Sequence, residues 1–300
     1  MLPEPDRYVY SAITSRPSIQ LPDGAKVALW IVSNNEFYEL NPPIGGVRRP
    51  WPRVQPDVLA YSHRDYGNRV GLWRLISLLD SYGLRASVSL NVALCDHYPE
   101  TTEACLKRNW EFFAHGVYNT RYLFELTEDD ERSVIQDCVD TIYKYTGKAP
   151  VGWLSPALTN TERTLDLLPE FGFTYTCDLF HDDQPFPVKV AKGRLISMPY
   201  TLDLNDVVVF ASYLHTPEYY GQMIRDQFDT LLAEGGESGR IMCISLHPYL
   251  IGQPHRLRYL DEALKYILSH SGVWATTGAE IAEWYMAHCY EQVLSAVGAK

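Results

Sequence analysis

Five apolar runs in this sequence stop at residues able to do chemistry. "LWIV" runs into Ser33-Asn34-Asn35-Glu36, "FFA" into His115, and "VGWL" into Ser155-Pro156. "FTYTC" runs into Asp178, with His181, Asp182 and Asp183 just beyond, and "IMCISL" into His247-Pro248. A lone histidine after an apolar run is ordinary. A glutamate and two histidines at corresponding places form a hydrolytic set. A carboxylate can accept a proton from water while an imidazole protonates a leaving nitrogen. An amide, a poor electrophile with a poor leaving group, needs both of these and also donors for its oxyanion. Glu36, His115 and His247 are therefore the candidate catalytic residues. Which histidine serves as acid and which stabilises the oxyanion stays open. Asn34, Asn119, Trp153, Ser155 and Asp178 are the candidate substrate contacts, with Asp178 also expected to orient a catalytic histidine.

Such residues converge only if strand ends share one face, so the elements matter. Strand-like runs alternate with helix-like ones along the whole chain. "KVALWIV", "RASVSLNV", "EFFAHG", "APVGWLSP", "FTYTCD", "RLISMPYT", "RIMCISLHP" and "VWATTG" read as strands. "VGLWRLISLLDSYG", "LTEDDERSVIQDCVDTIYKYTG" and "PHRLRYLDEALKYILSHSG" are the clearest helices between them. This order predicts a parallel sheet with helical crossovers. Seven or eight such units favour a closed α/β barrel over an open doubly wound sheet, with the active site at the strand ends. One domain over residues 1–300 is expected. The segment at about 34–66 is rich in Pro and Gly and reads as one long loop, a length that is usually functional. Its basic stretch, with Arg48, Arg49 and Arg53, reads as a lid.

Composition narrows the partners. The net charge of −11 argues against a nucleic-acid surface, which needs a basic stripe. No run of ~18 apolar residues is present, so no membrane span is expected. The first residues lack the apolar core of a secretory signal, so a cytoplasmic protein is expected. The six cysteines show no CxxC spacing and read as reduced, buried side chains.

The ordered set of motifs resembles the polysaccharide deacetylase superfamily. It is most similar to the branch of metal-independent, deacetylase-like allantoinases and cyclic-imide hydrolases. The resemblance rests on "DYGNRVGLWRLISLL", the His115-Gly116 pair, "GKAPVGWLSPALTNTERTL", "PYTLDLND" and "SLHPYLIGQPHR". It implies a distorted (β/α)7-type barrel, a homo-oligomer, and cleavage of a non-peptide C–N bond in a small amide, cyclic ureide or cyclic imide. The alternatives are a metal-dependent N-deacetylase and a barrel that binds without catalysis. Metal-dependent members hold one divalent ion with an Asp and a His-x-x-x-His pair. Here His115 matches the first histidine, and Asn119 stands in place of the second. Asn34 and Asn35 replace the paired aspartates, with Glu36 alongside. A zinc ion would thus have Glu36, His115 and Asn119, an incomplete set, and no cofactor is the favoured expectation. After "GW" the sequence lacks the arginine expected to meet a polar ureide, and Arg121 is a candidate replacement. Trp51, Tyr118, Tyr122 and Trp153 are candidates to line a pocket for a flat ring. The acidic start "TEDDE" reads as compensation of a helix dipole.

Overall fold

The computed structural model describes residues 7–43 and 55–298. The lid arginines and Trp51 lie outside these residues. Nine strands build the sheet: β1 (Val27–Asn35), β2 (Ser87–Leu90), β3 (Glu111–Ala114), β4 (Gly152–Trp153), β5 (Tyr175–Thr176), β6 (Phe186–Val188), β7 (Leu195–Ser197), β8 (Arg240–Leu246) and β9 (Val273–Thr276). Their order is β6-β7-β5-β4-β3-β2-β1-β8, and β9 pairs with the first half of β1. Pairing along β7-β5-β4-β3-β2-β1-β8 is parallel throughout, which makes seven parallel strands. The hairpin strand β6 is antiparallel to β7. Between β7 and β8 the wall is completed by a single bridge, Asn205 to Ser245. This is the expected distorted (β/α)7-type barrel.

Strand alternation sorts the side chains into two layers. In β1, Val27, Leu29 and Ile31 pack outward under the helices, while Ala28, Trp30 and Val32 fill the barrel interior. The same period of two separates Phe112 and Ala114 from Phe113 in β3, and Met242, Ile244 and Leu246 from Ile241 and Cys243 in β8. Both faces are buried, so these strands read as continuous apolar runs rather than alternating ones.

Two elements differ from the expectation. β1 extends through Asn35, and a helix spans Val58–Tyr66, so both ends of the 34–66 segment are regular structure. Asp57 caps that helix by accepting from Ala60 N. The helix Val58–Tyr66 runs through a widened turn, Gly67–Gly71, into the helix Leu72–Ser81. The widened turn lies on the segment that follows β8. A Cβ at Gly71 would come 1.9 Å from Pro248 O, and one at Gly67 2.7 Å from Tyr249 N. Only glycine permits that approach, and it clamps the backbone next to His247.

Candidate active site

Parity decides which strand-end residues enter the barrel mouth. Continuing β1 in steps of two, Ala28, Trp30 and Val32 lead to Asn34 and Glu36. Phe113 leads to His115, and Ile241, Cys243 and Ser245 lead to His247. Asn34, Glu36, His115 and His247 all line one cavity of about 650 Å³. Asn35 falls on the other face, where its Oδ1 accepts from Ser33 Oγ at 2.7 Å.

Glu36 faces both imidazoles. Its Oε1 lies 3.4 Å from His247 Nε2 and 3.6 Å from His115 Nε2, and all three side chains are buried. His115 donates from Nδ1 to Leu154 O at 2.8 Å, which leaves Nε2 toward the cavity. The ring is set by a tight local fit. Gly116 has φ +68°, and a Cβ there would sit 2.4 Å from Pro156 Cγ. The residue after the histidine must therefore be glycine. Asn68 donates to Glu36 O at 3.1 Å, and Asn91 accepts from Phe37 N at 3.0 Å, so the chain after β1 is held from two sides.

His247 is held by Asp206. The histidine donates from Nδ1 to Asp206 Oδ1 at 2.7 Å, and its backbone N–H lies 3.0 and 2.9 Å from the two carboxylate oxygens. Burial alone would lower the pKa of His247. The carboxylates of Glu36 and Asp206 reverse this and push it up to about 9. Burial would raise Glu36, but His247 and His115 together hold its carboxyl well below the usual range. At neutral pH the site is thus a carboxylate beside an imidazolium.

Two expected contacts lie elsewhere. Trp153 points outward into the helix-facing core, against Phe173, and its indole donates to Ser155 Oγ at 2.9 Å. It has the parity opposite to Leu154, which does line the cavity. Asp178 orients no histidine and does not line the cavity. It accepts from Ser155 N at 2.7 Å, from Ser155 Oγ at 2.9 Å and from Asn160 Nδ2 at 3.0 Å, fixing the turn after β4. Its parity in β5 is opposite to that of the interior residues Tyr175 and Cys177. Ser155, Asn34, Asn119 and Tyr122 do line the cavity. Tyr118 instead packs edge-on against Phe37. Arg121 pairs with Glu39 at 2.8 Å near the surface and does not reach the cavity. Asp182 pairs with Arg16 at 2.6 Å, and His181 stacks on Tyr8, both away from Glu36.

Asp206 completes the site without a strand-end signal, and Tyr38 joins it as a partner of Asn119. Asn119 donates to Tyr38 OH at 2.6 Å, and Asn34 donates to Ser245 Oγ at 2.9 Å. Two buried acceptors, Glu36 Oε2 and Asn119 Oδ1, have no hydrogen-bond partner among the described residues. Buried acceptors normally have one, so these await donors from a ligand or water. For a metal ion the donors at hand are Glu36, His115 and Asn119, because His247 is held as an imidazolium between Asp206 and Glu36. Among the described residues no group of three or more His, Cys, Asp or Glu side chains is arranged to hold one. One carboxylate, one imidazole and one amide oxygen fall short of the three strong protein ligands of a catalytic zinc site, and the set does not fit.

Comparison with known proteins agrees with the fold. Residues 56–176 match the polysaccharide deacetylase family model. The structure of Puue allantoinase superposes with TM-score 0.82 at 27% identity, over 91% of this chain and 95% of that one. Peptidoglycan deacetylase of Helicobacter pylori is 25% identical over 74% of this chain and 85% of its own length. A Schizosaccharomyces pombe protein classed with the polysaccharide deacetylases is 28% identical over 76% of each. Residues 56–176 thus carry the polysaccharide deacetylase match, and the barrel as a whole is similar to that of Puue allantoinase.

Proposed function

We propose that this protein hydrolyses a carbon–nitrogen bond in a small amide, cyclic ureide or cyclic imide, without a catalytic metal. The observation that carries this reading is the Glu36 carboxylate facing both imidazoles at 3.4 and 3.6 Å across a cavity open to a small molecule. The unpaired acceptors Glu36 Oε2 and Asn119 Oδ1 suit the N–H groups of an amide or imide, or the attacking water. The similarity to Puue allantoinase, 27% identical over 91% of this chain, supports the same substrate class.

The division of labour follows from charge. Glu36 is ionised at rest, orients water by accepting a hydrogen bond, and takes up the water's proton as its oxygen attacks the carbonyl carbon. His115, with Nδ1–H committed to Leu154 O, turns Nε2 toward Glu36 and the attacking water and positions them. His247, protonated and fixed by Asp206, donates to the developing oxyanion and then to the leaving nitrogen. The substrate is proposed to be a free small molecule and the working form a homo-oligomer, which light scattering would read.

The test is a panel of allantoin, hydantoin, succinimide and an N-acetyl sugar assayed with wild type, Glu36→Gln and His247→Ala. Turnover of a ureide, imide or simple amide by wild type, lost at least ~100-fold in both variants, is expected. Stoichiometric metal in protein purified without chelator, with activity that follows it, would instead establish the metal-dependent deacetylase reading. Equal turnover in all three proteins would remove the site.

A further inference from the structure

The barrel mouth has two unlike halves. The ends of β3, β1 and β8 supply Glu36, His115 and His247, with Asn119 nearby. The segments after β4, β5 and β7 supply Leu154, Leu158, Phe180, Leu202 and Val208. Polar groups in this second half are already bonded, Ser155 to Asp178 and Tyr200 across the mouth to Asn34 of β1. That half is therefore an apolar wall for whatever enters.

One cation joins the polar half. Arg64, on the helix Val58–Tyr66, lines the cavity with its guanidinium 4.7 Å from the Tyr38 ring centre and 4.8 Å from that of Tyr249. Held between two aromatic faces, the fork is pre-oriented and largely withdrawn from water. It also hydrogen-bonds Tyr38, the same phenol that accepts from Asn119. Its Nε–H is buried and has no acceptor among the described residues. Burial works against its charge, but Tyr249, Tyr38 and Glu36 hold the guanidinium pKa above its ordinary value.

A guanidinium has five donors and no acceptor, so its natural ligand is a planar oxygen group. We propose that Arg64 binds a carbonyl or carboxylate oxygen of the substrate, and that the substrate is amphipathic. Its planar polar head sits between Arg64 and the Glu36–His115–His247 group, and its apolar body lies along Leu154, Leu158, Phe180, Leu202 and Val208. The placement of the head rests on the hydrolase reading above. Arg64 thus takes up, from another element, the task of the arginine absent after Trp153. An oligosaccharide, with hydroxyls on every side, would leave the apolar wall poorly matched.

Calorimetric titration tests this with three probes: 5-phenylhydantoin, unsubstituted hydantoin and phenylacetate. Wild type is expected to bind 5-phenylhydantoin at least about tenfold more tightly than hydantoin, and Arg64→Met to weaken that binding at least about tenfold, as loss of a charge-assisted bond does. Phenylacetate distinguishes the sources of the oxygen, because a larger loss there marks a carboxylate and a larger loss on 5-phenylhydantoin a carbonyl. Arg64→Lys keeps the charge without the fork, so it is expected to fall between the two and serves as the test if the Met variant does not fold. Binding of both phenyl probes within about threefold of wild type in the variants, or no binding of any probe to wild type at about 10 mM, overturns the proposal. Hydrolysis followed in the same samples separates the two claims. Binding without turnover removes the hydrolase reading alone, and turnover indifferent to Arg64 removes this proposal alone.

Discussion

Replacing Asp206 by Asn should move the alkaline loss of activity to lower pH. In the wild type, two carboxylates lift His247 from its ordinary value of 6.5 to about 9. That is a bias of about 3 kcal/mol toward the imidazolium, at ~1.4 kcal/mol for each pKa unit. Asn at position 206 keeps the shape but removes one charge and one acceptor oxygen. A hydrogen bond to a charged group is worth ~1.5–3 kcal/mol, which corresponds to a fall of roughly 1–2 pKa units. The His247 pKa should then lie near ~7–8. Near pH 6 both proteins keep most of their His247 protonated, whereas at about pH 8.5 the variant retains only about a tenth of it and the wild type about three quarters. The ratio of wild-type to variant kcat should therefore widen by roughly eightfold between those two pH values. A constant loss on top of this is expected, because the Asn amide can turn His247 to the other tautomer, a change that costs up to ~10⁴ in a buried triad. The assay is a kcat–pH profile on the best substrate of the panel, with KM followed in parallel. A ratio that does not change with pH, or a kcat within about threefold of wild type throughout, would refute the assigned role of His247 as a charged donor set by Asp206.

Other expectations follow from the same geometry. Because the folded-state pKa of His247 is raised, its stabilising contribution is complete below about pH 6.5 and is lost as the pH rises through about 9, so the melting temperature should fall over that alkaline window in wild type and hardly at all in His247→Ala. Gly71→Ala would place a Cβ 1.9 Å from Pro248 O, and a melting temperature lowered by several degrees together with reduced kcat is expected from the displaced backbone at His247. Gly116→Ala combines a left-handed backbone, ~1–2 kcal/mol, with the Pro156 clash; adding Pro156→Ala should restore part of the lost stability, and a double mutant no better than the single one would contradict the contact. Trp153→Phe should lower stability by ~1–3 kcal/mol in denaturant titration yet leave KM unchanged, and a KM raised about tenfold would return Trp153 to the substrate.

Much of the site was legible in the order of residues. Strand alternation is a local property of an extended chain, and the apolar run before each polar end reveals which face turns inward. Glu36, His115 and His247 share the interior parity of Trp30, Phe113 and Cys243. The same rule, carried through "VGWL" and "FTYTC", turns Trp153 and Asp178 away, so those two misplacements were also open to correction from sequence. The alternation of elements likewise implied a parallel barrel, although the antiparallel strand Phe186–Val188 and the helix start at Val58 left weaker signals in short, proline-containing stretches.

Asp206 and Arg64 belong to the other category. Asp206 follows β7 after an irregular segment, where no period relates a side chain to a direction. Arg64 sits on a helix whose neighbours show no clear apolar stripe, and its aromatic partners come from residues 26 positions before it and 185 after it. Periodicity can say which way a side chain leaves its own strand. Which charge meets which imidazole depends on how two distant segments come together over the barrel, and that is set by close backbone packing such as Gly71 on Pro248 and by the closing bridge from Asn205 to Ser245. Local geometry thus chose the side chains that face the cavity, and tertiary packing chose the groups that tune their charge.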